Sequence, residues 1–262
     1  MKVAAAQIYC SLGDPKANLV KVQDFSRRAR DRGVELIVFP EMTDTGYAMS
    51  AIQAHASSWT DGFVPGLQEI AAKLSIGVVC GVSEKDGASI YNSLVFVDRQ
   101  GQVAAKYRKT HLYAVAPVEE QKCFAPGDTF GSFALGDLRF GFSICYDLRF
   151  PEMYRKLVVD ENAGALIVSS AWPFPRIEHF RTLVLARAIE NQSYVIVSNR
   201  VGRDEESWFC GSSAIIDPRG VTIASASADR EELVEADLSE ELVLSVRSRV
   251  ESLAHRRRDL YG

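Results

Sequence analysis

The run Phe140-Gly-Phe-Ser-Ile-Cys145-Tyr-Asp-Leu-Arg-Phe-Pro-Glu152 changes character at its cysteine. The apolar, β-leaning segment from Leu138 to Ile144 stops there, and polar residues follow at once. Pro151 and Glu152 then open a helical pattern that runs through Val159. Proline suits the first turn of a helix, where its missing N–H costs little. Cys145 is therefore predicted at the carboxyl end of a strand, just before a turn and a helix start. Open α/β sheets bind ligands at such strand ends, and backbone N–H groups there can take an anion. Most buried cysteines are only small hydrophobes, so this segment alone makes Cys145 a candidate nucleophile and no more.

The same reading extends outward. Val3–Ile8 is predicted as a buried strand. Asp14 and Pro15 start a helix as N-cap and first residue, Leu19, Val22, Phe25 and Ala29 recur along one face, and Gly33 stops it. Val34–Phe39 is a strand ended by Pro40-Glu41, Pro65–Leu74 a helix, and Ile76–Val82 a strand. Ser93–Asp98 and Gln102–Tyr107 form a hairpin across Asp98-Arg-Gln-Gly101. The order then repeats. Leu138–Ile144, Ala165–Ser169 and Tyr194–Ser198 are strands separated by helices over Glu152–Val159 and Glu178–Glu190. A hairpin over Ala214–Asp217 and Val221–Ala226 crosses a second D-x-x-G turn, Asp217-Pro-Arg-Gly220. Two similar halves predict an α/β fold: a four-layer α-β-β-α sandwich with the sheets face to face and the helices outside. The sheet runs lack clean alternation, as expected when both faces are covered. A three-layer doubly wound sheet is the alternative. With no linker or low-complexity stretch, residues 1–262 read as one domain.

Composition narrows the function classes. The 262 residues are 47% hydrophobic and 24% charged, ordinary values for a globular chain with a substantial core. A net charge of −4 gives no reason to expect nucleic acid or an acidic membrane as a partner. No apolar run reaches the roughly 18 residues of a membrane span, and the first strand is too soon broken for a signal peptide. The cysteines at 10, 80, 123, 145 and 210 are odd in number, scattered, and without zinc-ligand spacing. They read as free thiols of a reducing cytoplasm, and no metal is expected.

Three further positions carry possible chemistry. Glu41, in Val38-Phe-Pro-Glu-Met42, is a carboxylate with apolar neighbours. Desolvation would raise its pKa toward the range useful for acid–base work. Lys109, in Lys106-Tyr-Arg-Lys-Thr-His-Leu112, is either part of a solvated basic turn or an ammonium drawn into a pocket. His111 is the residue a thiol–imidazole pair would need, but no Asn or Asp is obviously placed to orient it. Like Cys145, Glu41 and Lys109 follow strand ends.

Together, Glu41 in F-P-E, Lys109 in R-K-T-H-L and Cys145 in C-Y-D-L-R-F-P-E closely resemble the nitrilase superfamily of carbon–nitrogen hydrolases. The resemblance runs from A-A-A-Q-I at residues 4–8 to R-R-R-D-L-Y ending at Tyr261. Three ordered motifs are far more specific than any one of them. W-P-F-P-R-I-E-H-F-R (172–181), A-R-A-I-E-N-Q (186–192) and S-N-R-V-G (198–202) are most similar to the small cytosolic amidases that act on ω-amides of dicarboxylic acids. The resemblance implies the four-layer sandwich, Glu41 as general base, Lys109 as oxyanion stabiliser and Cys145 as nucleophile. It also implies Glu120 as the second glutamate, by its distance before P-G-D; Glu119 is adjacent and reads as a solvated loop residue.

The expected reaction is hydrolysis of a small-molecule amide through a cysteine thioester, with no cofactor. The backbone N–H of Tyr146 joins Lys109 in holding the oxyanion. Arg176, Trp172 and Tyr146 are expected to bind substrate. Arg149 reads as a structural ion pair beneath Cys145, with substrate binding as the other option. An N-carbamoyl compound or a nitrile is the alternative substrate, a Cys145–His111 enzyme a second rival, and a silent partner-binding protein a third. By resemblance, the basic and moderately apolar stretch from Val243 to Tyr261 packs across a subunit interface, so a homodimer or larger homo-oligomer is expected.

Overall fold

The computed structural model describes residues 1–116, 118–204 and 207–261. Its first half runs β1 (Lys2–Gln7), α1 (Pro15–Asp31), β2 (Leu36–Val38), α2 (Met49–His55), α3 (Phe63–Leu74), β3 (Gly77–Asp86), β4 (Ser89–Val97) and β5 (Val103–Arg108). The second half runs β6 (Ser132–Leu135), β7 (Leu138–Ile144), α4 (Pro151–Val159), β8 (Ala165–Ser170), α5 (Ile177–Asn191) and β9 (Tyr194–Asn199). A short ribbon of β10 (Val201–Arg203) and β11 (Trp208–Cys210) precedes the hairpin of β12 (Ala214–Ile216) and β13 (Thr222–Ser225). The chain closes with β14 (Glu232–Asp237), α6 (Glu240–Arg249) and α7 (Arg258–Tyr261).

Local sequence accounts for the boundaries. The Asp14 carboxylate accepts the Ala17 N–H at 3.0 Å, Pro15 follows it, and Gly33 leaves α1 at φ +77°. That is a capped start and a left-handed exit. The two D-x-x-G turns are twins. Asp98 accepts the N–H groups of Gln100 and Gln102, both at 2.9 Å, and Asp217 accepts those of Arg219 and Val221 at 2.8 and 3.0 Å. Gly101 and Gly220 close them at φ +80° and +83°, where glycine is free of the Cβ penalty.

Two six-stranded sheets result, ordered β14-β1-β2-β3-β4-β5 and β13-β12-β9-β8-β7-β6. In each, three parallel strands lead into an antiparallel hairpin, and an extra antiparallel strand flanks the first. This is the predicted repeat of halves. Alternate residues divide the first sheet's faces. Val3, Ala5, Leu36, Val38 and Val79 share a core with Phe140, Phe142 and Ile144 of the second sheet. Ala4, Ala6, Ile37, Val78 and Cys80 pack with Val22, Phe25, Leu67 and Ala71 of α1 and α3. Buried Ser169 and Ser198 donate across the sheet interface to the carbonyls of Phe39 and Ala6, at 2.6 and 2.7 Å. The four-layer sandwich stands, and the three-layer alternative does not. Helices α2, α6 and α7, strands β6 and β14, and the ribbon of β10 and β11 were not predicted. β3 and β4 extend beyond their predicted spans.

Candidate active site

The sandwich brings three strand ends together. Cys145 follows β7 directly, Lys109 follows β5 directly, and Glu41 lies three residues beyond β2. Cys145 opens a 3-10 turn over Cys145–Arg149 and adopts φ +45°, a sparsely populated conformation for a residue with a side chain. Asp147 holds this turn in place. Its buried carboxylate accepts the Ile144 N–H at 2.9 Å, the Tyr107 hydroxyl at 2.7 Å and the His111 N–H at 3.2 Å. It thereby ties the turn bearing Cys145 to the segment bearing Lys109.

Lys109 is 1% exposed, and Glu41 and Glu120 are both at 0%. The ammonium donates to Glu41 Oε1 at 2.9 Å and to Glu120 Oε1 at 2.8 Å. Asn92 Nδ2 donates to the same two oxygens, at 2.7 and 3.2 Å. Glu41 Oε2 accepts the Ala171 N–H at 2.9 Å. Glu120 also accepts the Tyr47 hydroxyl at 2.7 Å and the Tyr113 N–H at 2.6 Å. Of the adjacent glutamates, Glu120 turns inward while Glu119 pairs with Lys122 near the surface. Glu120, chosen by its distance from P-G-D, is therefore the one that meets Lys109.

Electrostatics divide the roles. Burial pushes the Cys145 thiol well above the usual range; the Glu41 charge adds to this, and Lys109 only partly offsets it. The thiol therefore holds its proton more tightly than a free cysteine does. Burial likewise raises the Glu41 carboxyl, the Lys109 ammonium draws it down, and the Glu120 charge pushes it up again, with a net rise. Burial opposes the Lys109 charge, but the two carboxylates outweigh it and leave the ammonium firmly protonated.

Cys145 and Lys109 open into a cavity walled by Tyr47, Tyr113, Tyr146, Trp172 and Phe209. Trp172 sits behind the Arg149 guanidinium, 4.8 Å from its ring centre, and donates from Nε1 to the Arg176 carbonyl at 2.9 Å. Arg176 lines the same cavity. The predicted residues Glu41, Lys109, Glu120, Cys145, Tyr146, Trp172 and Arg176 thus converge on one place.

Two readings need correction. Arg149 makes no ion pair among the described residues; it lies over Trp172 and faces the cavity. The 3-10 turn carries it outward rather than beneath Cys145. An aspartate does stand against His111, with Asp147 Oδ1 at 2.8 Å from Nδ1. The imidazole stacks on Phe150 and is absent from the cavity lining, so this pair braces the turn. Asn92, Tyr47 and Asp147 were not anticipated. All five cysteines are unpaired. Among the described residues, no group of three or more His, Cys, Asp or Glu side chains is spaced to hold a metal ion.

A fold of paired sheets with a cysteine, a lysine and a glutamate at strand ends, and a second glutamate against the lysine, defines a hydrolase of carbon–nitrogen bonds. The chain belongs to the carbon-nitrogen hydrolase family, whose model matches residues 2–248. It is 32% identical to the 2-oxoglutaramate amidase of Bacillus subtilis (strain 168) over 260 residues, 99% of this chain and 98% of that one. It is also 32% identical to a protein named nitrilase from Pyrococcus abyssi over 256 residues, 94% of this chain and 93% of that one. Among solved structures, it resembles a mutant amidase from Nesterenkonia sp. AN1 that shows the result of Michael addition of acrylamide at the active site cysteine. The TM-score is 0.89 at 27% identity, covering 100% of this chain and 98% of that one.

Proposed function

We propose that the protein is a thiol amidase that hydrolyses the terminal amide of a short carboxylated ω-amide to the acid and ammonia. One observation carries this reading. The buried Glu41–Lys109–Glu120 cluster meets Cys145 at a cavity that also holds Arg149 and Arg176, neither in an ion pair among the described residues. Guanidinium groups lining a cavity favour an anionic substrate group, and arginine suits a carboxylate. The likeness to a 2-oxoglutaramate amidase supports the same substrate class.

Glu41 takes the thiol proton as the Cys145 sulfur attacks the amide carbon. The oxyanion is held by the Lys109 ammonium and the N–H of Tyr146, the residue after Cys145 in the 3-10 turn; one such donor lowers the barrier by about 3–4 kcal/mol. Glu41 then returns the proton to the leaving nitrogen, the C–N bond breaks, and ammonia departs from a thioester. Water, deprotonated by Glu41, cleaves the thioester and regenerates the thiol. Glu120 holds Lys109 in position. Trp172 and Tyr146 wall the substrate, and Arg149 and Arg176 bind its distal carboxylate.

We read residues 1–262 as one hydrolase domain, since the two sheets share a core. No helix among the described residues is long and apolar enough to cross a membrane. Five unpaired cysteines favour a reducing cytoplasm. Exposed Leu244, Val250 and Leu260 favour a homodimer or larger assembly through the region after β14; a monomeric mass in solution would remove that part of the reading. A nitrile or N-carbamoyl substrate is the second reading, and the likeness to a protein named nitrilase favours the nitrile.

A panel of short ω-amides, including 2-oxo acid amides, with nitriles and N-carbamoyl compounds alongside, tests the choice. Cys145→Ala serves as blank. Ammonia release without carbon dioxide, fastest on carboxylated amides, is expected. Preference for a nitrile, or carbon dioxide from a carbamoyl compound, would transfer the protein to the second reading.

A further inference from the structure

Glu41 Oε1 and Glu120 Oε1 are bridged twice, by Lys109 Nζ at 2.9 and 2.8 Å and by Asn92 Nδ2 at 2.7 and 3.2 Å. The four contacts close a ring. Its Lys109 side is the familiar ion pair. Its Asn92 side is a neutral amide, 1% exposed, on β4, the strand between β3 and β5. Asn92 also accepts the Lys109 N–H on its main-chain oxygen at 2.8 Å, so one residue sets both the backbone and the side-chain partners of Lys109.

The orientation of this amide is forced. Turned over, it would aim an oxygen at two carboxylates. As it stands, Asn92 Oδ1 is buried with no hydrogen-bond partner among the described residues. A buried acceptor left unpaired is costly and calls for an explanation. The explanation here is that both amide N–H groups are committed to the carboxylates.

We propose that Asn92 is a positioning residue that keeps Glu41 ionised and aimed for proton transfer while sparing one N–H of Lys109 for the substrate. An ammonium has three N–H groups. Two go to Glu41 and Glu120, and the third stays available because Asn92 meets the rest of the demand at the two Oε1 atoms. A hydrogen bond to a carboxylate favours its charged form. Asn92 therefore acts with Lys109 against burial and against the Glu120 charge. The groups facing Glu41 are Lys109, Glu120, Cys145 and, through Glu120, the phenol of Tyr47. Asn92 has no ionisable group, so it adjusts the base without adding a charge to the pocket.

This inference rests on Glu41 being the base. The test compares Asn92→Leu and Asn92→Asp with the unmodified protein in pH profiles of ammonia release. For Asn92→Leu, kcat is expected to fall about 10- to 100-fold with KM within about twofold, and the acid limb of kcat/KM to move up by about one pH unit or more. Asn92→Asp keeps the amide's shape but faces two carboxylates with a third, and its limb should move further. Should Asn92→Leu fail to fold, Asn92→Asp carries the comparison, with the pH dependence of Cys145 alkylation by iodoacetamide as a second measurement. Reduced rates with the acid limb unmoved would overturn the proposal and leave Asn92 a structural residue. Glu41→Gln separates the two levels. If it is inactive while the Asn92 limbs stay in place, only the role of Asn92 falls. If it turns over near normally, the assignment of the base falls and this inference with it.

Discussion

Lys109→Met removes one positive charge while keeping most of the side chain's length. The ammonium lies 2.9 Å from Glu41 and 2.8 Å from Glu120, all three side chains being closed to solvent. At an effective dielectric constant of about 20, one such contact is worth about 6 kcal/mol of attraction. Desolvation of the partners offsets much of that. The net cost of orphaning a buried charge is about 3–5 kcal/mol, and that is the expected loss of stability near neutral pH. The loss should depend on pH with a definite sign. Burial already raises the Glu41 carboxyl above its ordinary value, and losing Lys109 raises it further. A carboxyl so raised binds its proton more tightly in the folded chain. The penalty is therefore absent below the unfolded carboxyl pKa and grows as pH climbs toward the folded one. Denaturant unfolding should show the variant closest to the unmodified protein in acid and furthest from it in mild alkali. The reaction loses an oxyanion donor, worth about 10²–10³ in kcat, together with part of its ionised base. A fall in kcat/KM of at least about 10³ is expected, with the remaining activity displaced to higher pH. Activity within tenfold of normal on an unchanged pH profile, or a stability loss independent of pH, would refute the reasoning.

Glu41→Gln should keep the fold, since Glu120 still pairs with Lys109, yet lower turnover by about 10²–10⁴ as the base is lost; ammonia release beside a circular dichroism spectrum reads both. Arg149→Met and Arg176→Met should each raise KM for carboxylated amides at least about tenfold, leave kcat within about threefold, and barely change a neutral amide. An unchanged preference for the carboxylate in both variants would place its binding elsewhere.

Much of the site could be read before any coordinates because it sits at element ends, where residue type is most informative. The break from Ile144 to Cys145 and the proline after Phe39 mark two such ends. The twin turns at Asp98 and Asp217 were equally legible, since their carboxylates bond to amides only two and four residues on. Asn92 was not. It lay just before the predicted strand that begins at Ser93, an ordinary polar residue, and its partners lie 51 and 28 residues away. Asp147 lay in the opening stretch but serves Tyr107 and His111, which only folding brings near. Arg149 misled because the sequence does not show which way its turn faces, whereas the 3-10 turn presents it to the cavity. Strand β6 is only four residues long, too short for a periodicity to declare itself.

The pairing of Lys2 with Asp237 sets a timetable for synthesis. One border of β1 stays bare until nearly the whole polypeptide has left the ribosome, because its neighbour on that side is β14. Through that interval the apolar run Val3–Ala6 offers unpaired amides to any passing strand, and contacts so distant along the chain form slowly. Nascent chains halted before Glu232 should therefore depend on a chaperone, or clump, even with the segments bearing Glu41, Lys109 and Cys145 already made.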